Sequence, residues 1–141
     1  MFFIIEMVKI YSLEKKFVKF EKEAKKVVKD ILDFLLVEKA DLEVFFVSDQ
    51  EIKKINWKYR KKEKPTNILS FSPPHDFPEH YLKENIGEVY LAPDFILKEG
   101  GSIKKLLAHG ILHLLGFDHK KKEEAKKMEK KEEEIVVALG F

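Results

Sequence analysis

Three of the chain's five histidines fall within eleven residues, His109-Gly110-Ile111-Leu112-His113-Leu114-Leu115-Gly116-Phe117-Asp118-His119, in a stretch otherwise apolar enough to be buried. On a helix, residues four apart lie about 40° from each other around the axis, so His109 and His113 point the same way. His119 cannot join them on a continuing helix. At about 1.5 Å rise per residue it would sit roughly 15 Å along the axis from His109. Gly116 is where the chain can turn back, because glycine takes the left-handed conformation that ends a helix without a Cβ clash. The spacing His-x3-His-x2-Gly-x2-His thus describes a helix supplying two imidazoles and a turn returning a third. Three neutral imidazoles with one coordination position open form the catalytic zinc arrangement, with Zn–N about 2.0–2.1 Å. A histidine pair at i, i+4 is also an ordinary structural feature of apolar helices. The glycine and the third histidine at these offsets decide for a metal site, expected to hold one Zn2+ ion.

Zinc lowers the pKa of its bound water to about 7 and polarises a substrate oxygen. Zinc proteases of the His-Glu-x-x-His type carry a glutamate directly after the first histidine as general base, and here that position is Gly110. The missing base argues against peptide hydrolysis and for a substrate that brings other help. RNA fits, because its 2′-hydroxyl lies beside the reacting phosphorus and a metal and an arginine can polarise the phosphodiester together. Of the 27 cationic side chains only Arg60 is an arginine. A surface built from lysine has reason to place its one planar fork of donors where bidentate phosphate binding matters. Drift at an ordinary surface site is the competing account.

The whole chain sets bounds. Its 141 residues suit one domain, and 45% hydrophobic with 12% aromatic content excludes disorder. No cysteine is present, which rules out disulfides, thiolate ligands and cysteine nucleophiles. Met1-Phe2-Phe3-Ile4-Ile5-Glu6 has no basic region before a short apolar run that Glu6 interrupts, so neither a signal peptide nor a membrane span is expected. The expectation is a soluble cytoplasmic protein. A charged fraction of 37%, mostly lysine and glutamate, resembles proteins from very hot environments. The net charge of +2 imposes no global field toward nucleic acid, so local clusters must carry that argument.

The elements follow from periodicity. Residues 2–10 read as a strand, and Glu14 to about Val37 as a long amphipathic helix packed through positions such as Phe17, Phe20, Val27 and Ile31. Asp41 to Val47 is a buried strand, after which Ser48 and Glu51 fit a capping box that opens a helix with Ile52, Ile55 and Tyr59. That helix ends in the cluster Lys58-Tyr59-Arg60-Lys61-Lys62-Glu63-Lys64 before Pro65. With Trp57 and Tyr59 interleaved, the cluster is the best local candidate for contacting a nucleic-acid backbone. Lysines at helix ends also simply complement the helix dipole. Residues 66–72 read as a third strand, 73–85 as a polar loop with His75 and His80 at the surface, and 87–91 as a fourth strand. Pro93 opens a short helix, and Ser102 caps the histidine helix, where Gly110 costs roughly 1 kcal/mol relative to alanine. Lys120 to Phe141 is a charged helix with Ala125, Met128, Ile135, Val136 and Leu139 as its packing stripe.

Two motifs now stand in order, Arg60-x4-Pro65-Thr66-Asn67-x-Leu69-Ser70-Phe71 and His109-Gly110-x-Leu112-His113-Leu114-x-Gly116-x-Asp118-His119. Together they closely resemble the signatures of the YbeY family of bacterial ribosome-maturation endoribonucleases, and the likeness covers nearly the whole chain. The resemblance implies zinc ligation by His109, His113 and His119. It implies Arg60 as the catalytic cation facing the phosphate, Lys62 and Lys64 lining the RNA path, and Ser70 and Glu88 at substrate-binding positions. It implies single-strand-specific cleavage of RNA, with ribosomal RNA and the small ribosomal subunit as partners, in subunit maturation and ribosome quality control. Glu88 stands where an aspartate is usual, so its longer side chain places the carboxylate differently, and Phe117 replaces a common tyrosine. Asp118 fits two roles: accepting a proton from a ligand imidazole, or bonding its own turn.

The expected fold is α+β, a mixed, mainly parallel sheet of about four strands with packed helices and a zincin-like metal-binding helix across one face. Residues 1–141 would form a single metallo-endoribonuclease domain. By analogy with zinc proteases, the 86–91 strand would run antiparallel at the sheet edge, where it could flank an extended substrate. Two rival functions stand beside this one: a zinc protease or amidase-like hydrolase, and a non-catalytic zinc-containing ribosome assembly factor. The oligomeric state is not legible.

Overall fold

Side-chain alternation along the strands decides how the layers stack. In β2, Lys39–Phe46, the residues Ala40, Leu42, Val44 and Phe46 are buried on one face while Asp41, Glu43 and Phe45 take the other. In β4, Asn85–Leu91, Gly87, Val89 and Leu91 are buried on the first face and Glu88 and Tyr90 take the second. The computed structural model describes residues 5–73, 85–117 and 120–141. Its remaining elements are β1 (Ile5–Ser12), α1 (Glu21–Phe34), α2 (Asp49–Arg60), β3 (Ile68–Phe71), α3 (Pro93–Lys98), α4 (Ile103–Leu114) and α5 (Lys122–Leu139). The loop expected over 73–85, with His75 and His80, lies almost entirely outside the described residues.

The first face carries the main core. Val28, Ile31 and Leu32 of α1, Leu107, Ile111 and Leu112 of α4, and Met128 and Ile135 of α5 join the strand residues in one cluster. A smaller cluster on the second face sets Ile52 of α2 against Leu69 of β3, with Phe45, Phe71 and Tyr90 half-buried around it. Ser48 caps α2 and Ser102 caps α4, each hydroxyl accepting the backbone N–H three residues on. The helix expected from Glu14 begins instead as a 3-10 turn, Lys15–Phe20, and becomes α-helical at Glu21. The tighter turn aligns residues three apart, and it brings Phe17 and Phe20 together against the core. No helix among the described residues is long and apolar enough to cross a membrane.

The strand order β1-β2-β4-β3 corrects one expectation. β4 is not at the edge. It runs parallel to β2 inside the sheet, and β3 pairs with it antiparallel at the edge. Burial supplies the reason: Val89 and Leu91 sit in the main core while Tyr90 packs in the second cluster, so β4 is covered on both faces. β3 has four residues of which only Leu69 is buried, which suits an edge. The sheet is otherwise mixed and mainly parallel, as expected.

Two glycines let α4 lie close on this sheet. A Cβ on Gly110 would stand 2.9 Å from Ile68 Cδ1 and 3.0 Å from Ser70 Oγ. Gly87, at φ +129°, follows a bulge in β4, and a Cβ there would meet the Phe71 carbonyl oxygen at 2.2 Å and Leu114 Cδ2 at 3.0 Å. Gly87→Ala therefore combines backbone strain with a clash against a fixed carbonyl. It should destabilise the fold by more than about 2 kcal/mol, read as a lowered urea midpoint with an unchanged m-value.

Candidate active site

The apolar stripe of α4 (Leu107, Ala108, Ile111, Leu112) faces the core and turns the two histidines toward the rim of that face, both half-buried. Their ring centroids are 6.0 Å apart with planes 25° from parallel. The end of α4 then does a second job. Gly116, at φ +102°, lets its own N–H reach the His113 carbonyl and the Phe117 N–H reach the Leu112 carbonyl, at 3.1 and 3.0 Å. This pairing is a Schellman motif. It carries the Phe117 carbonyl back to 3.1 Å from His113 Nδ1.

A carbonyl oxygen can only accept, so His113 Nδ1 must carry the proton of that bond. His109 Nδ1 meets a Glu132 carboxylate oxygen on α5, and a carboxylate imposes the same assignment. In its neutral form each ring is thereby held as the Nδ1–H tautomer, with the unprotonated lone pair on Nε2. A ligating imidazole with its other nitrogen bonded to a carboxylate or a carbonyl is the arrangement that orients metal ligands. The donor chemistry of this pair fits a zinc-type ion. His119 and Asp118 lie outside the described residues. Among the described residues no group of three such donors assembles.

Glu132 was not picked out from the sequence, although a signal was there. It falls four after Met128 and three before Ile135, the two buried residues of α5, so it is an acidic side chain on the packed face of its helix. Its side chain is only 30% exposed.

Ser70 faces α4, its hydroxyl beside Gly110 and so beside the helix turn that carries His109. Glu88 is on the opposite face of the sheet, where it accepts a 2.9 Å bond from the Tyr90 hydroxyl. Burial, with help from that bond, pushes the Tyr90 hydroxyl above its ordinary range. Arg60 is the last residue of α2, and it is exposed, as are Lys62 and Lys64 in the loop that follows. Tyr59, next to Arg60, meets Phe71 of β3 with centroids 5.0 Å apart. The edge strand thus has the histidine helix on its Ser70 side and the end of the arginine helix on its Phe71 side. Lys61 ends α2 in the left-handed conformation. Buried Asn56 shapes the loop beyond it, its backbone carbonyl accepting the Lys62 N–H at 3.4 Å and its side-chain amide donating to the Lys64 carbonyl at 2.9 Å. Asn56, too, escaped the sequence reading, because a lone asparagine in a polar helix carries no period.

The family described as endoribonuclease YbeY matches residues 10–140 of this chain. Endoribonuclease YbeY of Persephonella marina is 36% identical over 118 residues, covering 78% of this chain and 72% of that protein. The Aquifex aeolicus protein of the same name is 36% identical over 98 residues, covering 64% of this chain and 63% of that one. The Francisella philomiragia protein is 39% identical over 93 residues, with 59% of each covered. The alignments with these last two span less than two thirds of their length. The solution structure of TM1509 from Thermotoga maritima superposes with a TM-score of 0.56 at 27% identity, over 94% of this chain and 91% of that one.

The bond from His109 to Glu132 makes a measurable claim. In histidine-labelled protein at alkaline pH, ring nitrogen shifts should show His109 and His113 as Nδ1–H tautomers. Glu132→Ala should release His109 alone from that preference and leave His113 unchanged, since the Phe117 carbonyl holds the second ring independently.

Proposed function

The chain belongs to the YbeY endoribonuclease family, and on that premise we propose that it is a zinc-dependent endoribonuclease specific for single-stranded RNA. Its work would be small-subunit ribosomal RNA maturation and ribosome quality control in the cytoplasm. The observation that carries the metal part is the shared geometry: two imidazoles one helical turn apart, each with its Nδ1 against an acceptor oxygen, so that Nε2 is the nitrogen each would offer a metal. His109, His113 and His119 would hold one Zn2+ ion, His119 returning through the Gly116 turn. The ion, when bound, supplies Lewis-acid polarisation of a phosphodiester oxygen.

The chain's own side chains have separable tasks. Arg60 would present its fork of donors to the non-bridging phosphate oxygens and stabilise the charge that develops on them. Lys62 and Lys64 would follow the backbone of the strand to either side. Ser70 would stand at the substrate on the α4 side of β3. Glu88, on the other face, would act on substrate only from the Phe71 side of that strand. An extended RNA laid over the β3 edge reaches both the histidine helix and the end of α2, so β3 takes the substrate-flanking place expected of the fourth strand. Gly110 leaves no carboxylate in the position of a peptidase base, which favours RNA over peptide.

The test separates metal from phosphate. His113→Ala should lose zinc and RNA cleavage together, whereas Arg60→Ala should keep stoichiometric zinc and lose cleavage by about 100-fold or more. Metal content by atomic absorption and cleavage of a single-stranded RNA are the two readings. Full cleavage by Arg60→Ala would remove the arginine from the reaction, and digestion of casein in place of RNA would overturn the nuclease assignment.

A further inference from the structure

The buried stripe of α2 outruns the sheet it packs on. Ile52 and Asn56 are 0% and 1% exposed, yet Tyr59, the next large side chain on that face, is 60% exposed. Its ring meets Phe71 with centroids 5.0 Å apart and planes tilted by 54°. Phe71 is in turn set edge-on against Tyr90 at 5.8 Å, and Tyr90 stacks on Phe45 at 4.7 Å. The exposed ring is thus backed by a row of aromatic contacts running into the sheet, which fixes its orientation. Cations adjoin it in the chain. Lys58 Nζ lies over the Tyr59 ring, 5.2 Å from its centroid, Arg60 follows directly, and the loop adds Lys62 and Lys64 against the single acid Glu63, while Lys61 Nζ lies over the neighbouring Trp57 ring. What sets this exposed ring apart is its place: it continues an aromatic row from the sheet and stands beside the cationic end of α2.

We propose that Tyr59, backed by Phe71, is a base-stacking platform for single-stranded RNA. One unpaired base stacks on the exposed Tyr59 ring, displacing the Lys58 ammonium from over it, while the flanking phosphates meet Lys58 and the loop cations. This rests on the reading of the protein as a ribonuclease and adds a residue to it. Stacking on a side chain requires a base withdrawn from its neighbours, so the platform favours single strands over duplex and tolerates any sequence, since every base offers a π-face. It also places the substrate: the ring sits on the Phe71 side of β3, and the preceding residue, Ser70, faces the histidine helix. A strand held at Tyr59 and crossing this edge arrives at the histidines.

Anisotropy of a short labelled 2′-O-methyl oligouridine, and of an equally long oligomer of abasic spacers, tests the platform on the full chain. The native protein should prefer the base-bearing strand by about tenfold. Tyr59→Ala should bind both strands equally, with the salt dependence of the abasic strand unaltered, because that slope counts phosphate contacts. Tyr59→Phe and Tyr59→Trp should keep the preference, which separates stacking from any effect of the phenolic hydroxyl. Equal thermal midpoints are expected for all three variants, as the ring is largely exposed. Tyr59→Ala retaining the native preference overturns the platform while leaving the nuclease reading intact. A native protein that binds neither strand overturns the RNA reading and the platform with it.

Discussion

The closeness of α4 to β3 and β4 is the constraint on which the site depends. Ordinary side chains at position 110 of α4 and position 87 of β4 would hold the helix away from the sheet. The missing Cβ atoms let Ile68, Ser70 and Val89 pack directly on the turn that carries His109. Interiors are dense enough that such a contact leaves few alternative placements for the helix. The direction of both imidazoles is therefore set by backbone packing before any polar contact is made.

Polar contacts then settle the chemistry of each ring, and they come from two unrelated elements. His113 is held by the carbonyl of Phe117, a local consequence of how Gly116 ends the helix. His109 is held by Glu132, a contact across twenty-three positions that exists only because α5 packs on α4 through Met128 and Ile135. Different partners impose the same proton position. An imidazole binds a metal only through an unprotonated nitrogen, and in the proposed site that nitrogen would be Nε2 in both rings.

The second half of the site has its own support. Arg60 owes its place to the left-handed end of α2, and the lysine loop owes its course to Asn56, the one fully buried polar side chain among the described residues. Cationic side chains stay in water while the backbone beneath them is held by a buried amide. That division gives exposed charges a defined geometry at little desolvation cost. The two halves flank a short edge strand, and the proposed extended ligand would lie along it.

What the sequence determined by itself is whatever depends on local chemistry. The i, i+4 histidine pair, the glycine turn after it, the serine caps of α2 and α4, and the buried strand β2 were all legible, because each involves residues within one turn or one strand. The 3-10 start before α1 was not legible, since its apolar spacing of three and four serves either helix. Tertiary structure alone decided the strand order, the pairing of Glu132 with His109, the setting of Asn56 under the loop, and the face that Glu88 occupies. Each of these joins residues far apart in the chain. Periodicity tells which side of an element is buried, but not which neighbour buries it. β4 lies inside the sheet because both of its faces found a core, and that is settled by packing across layers.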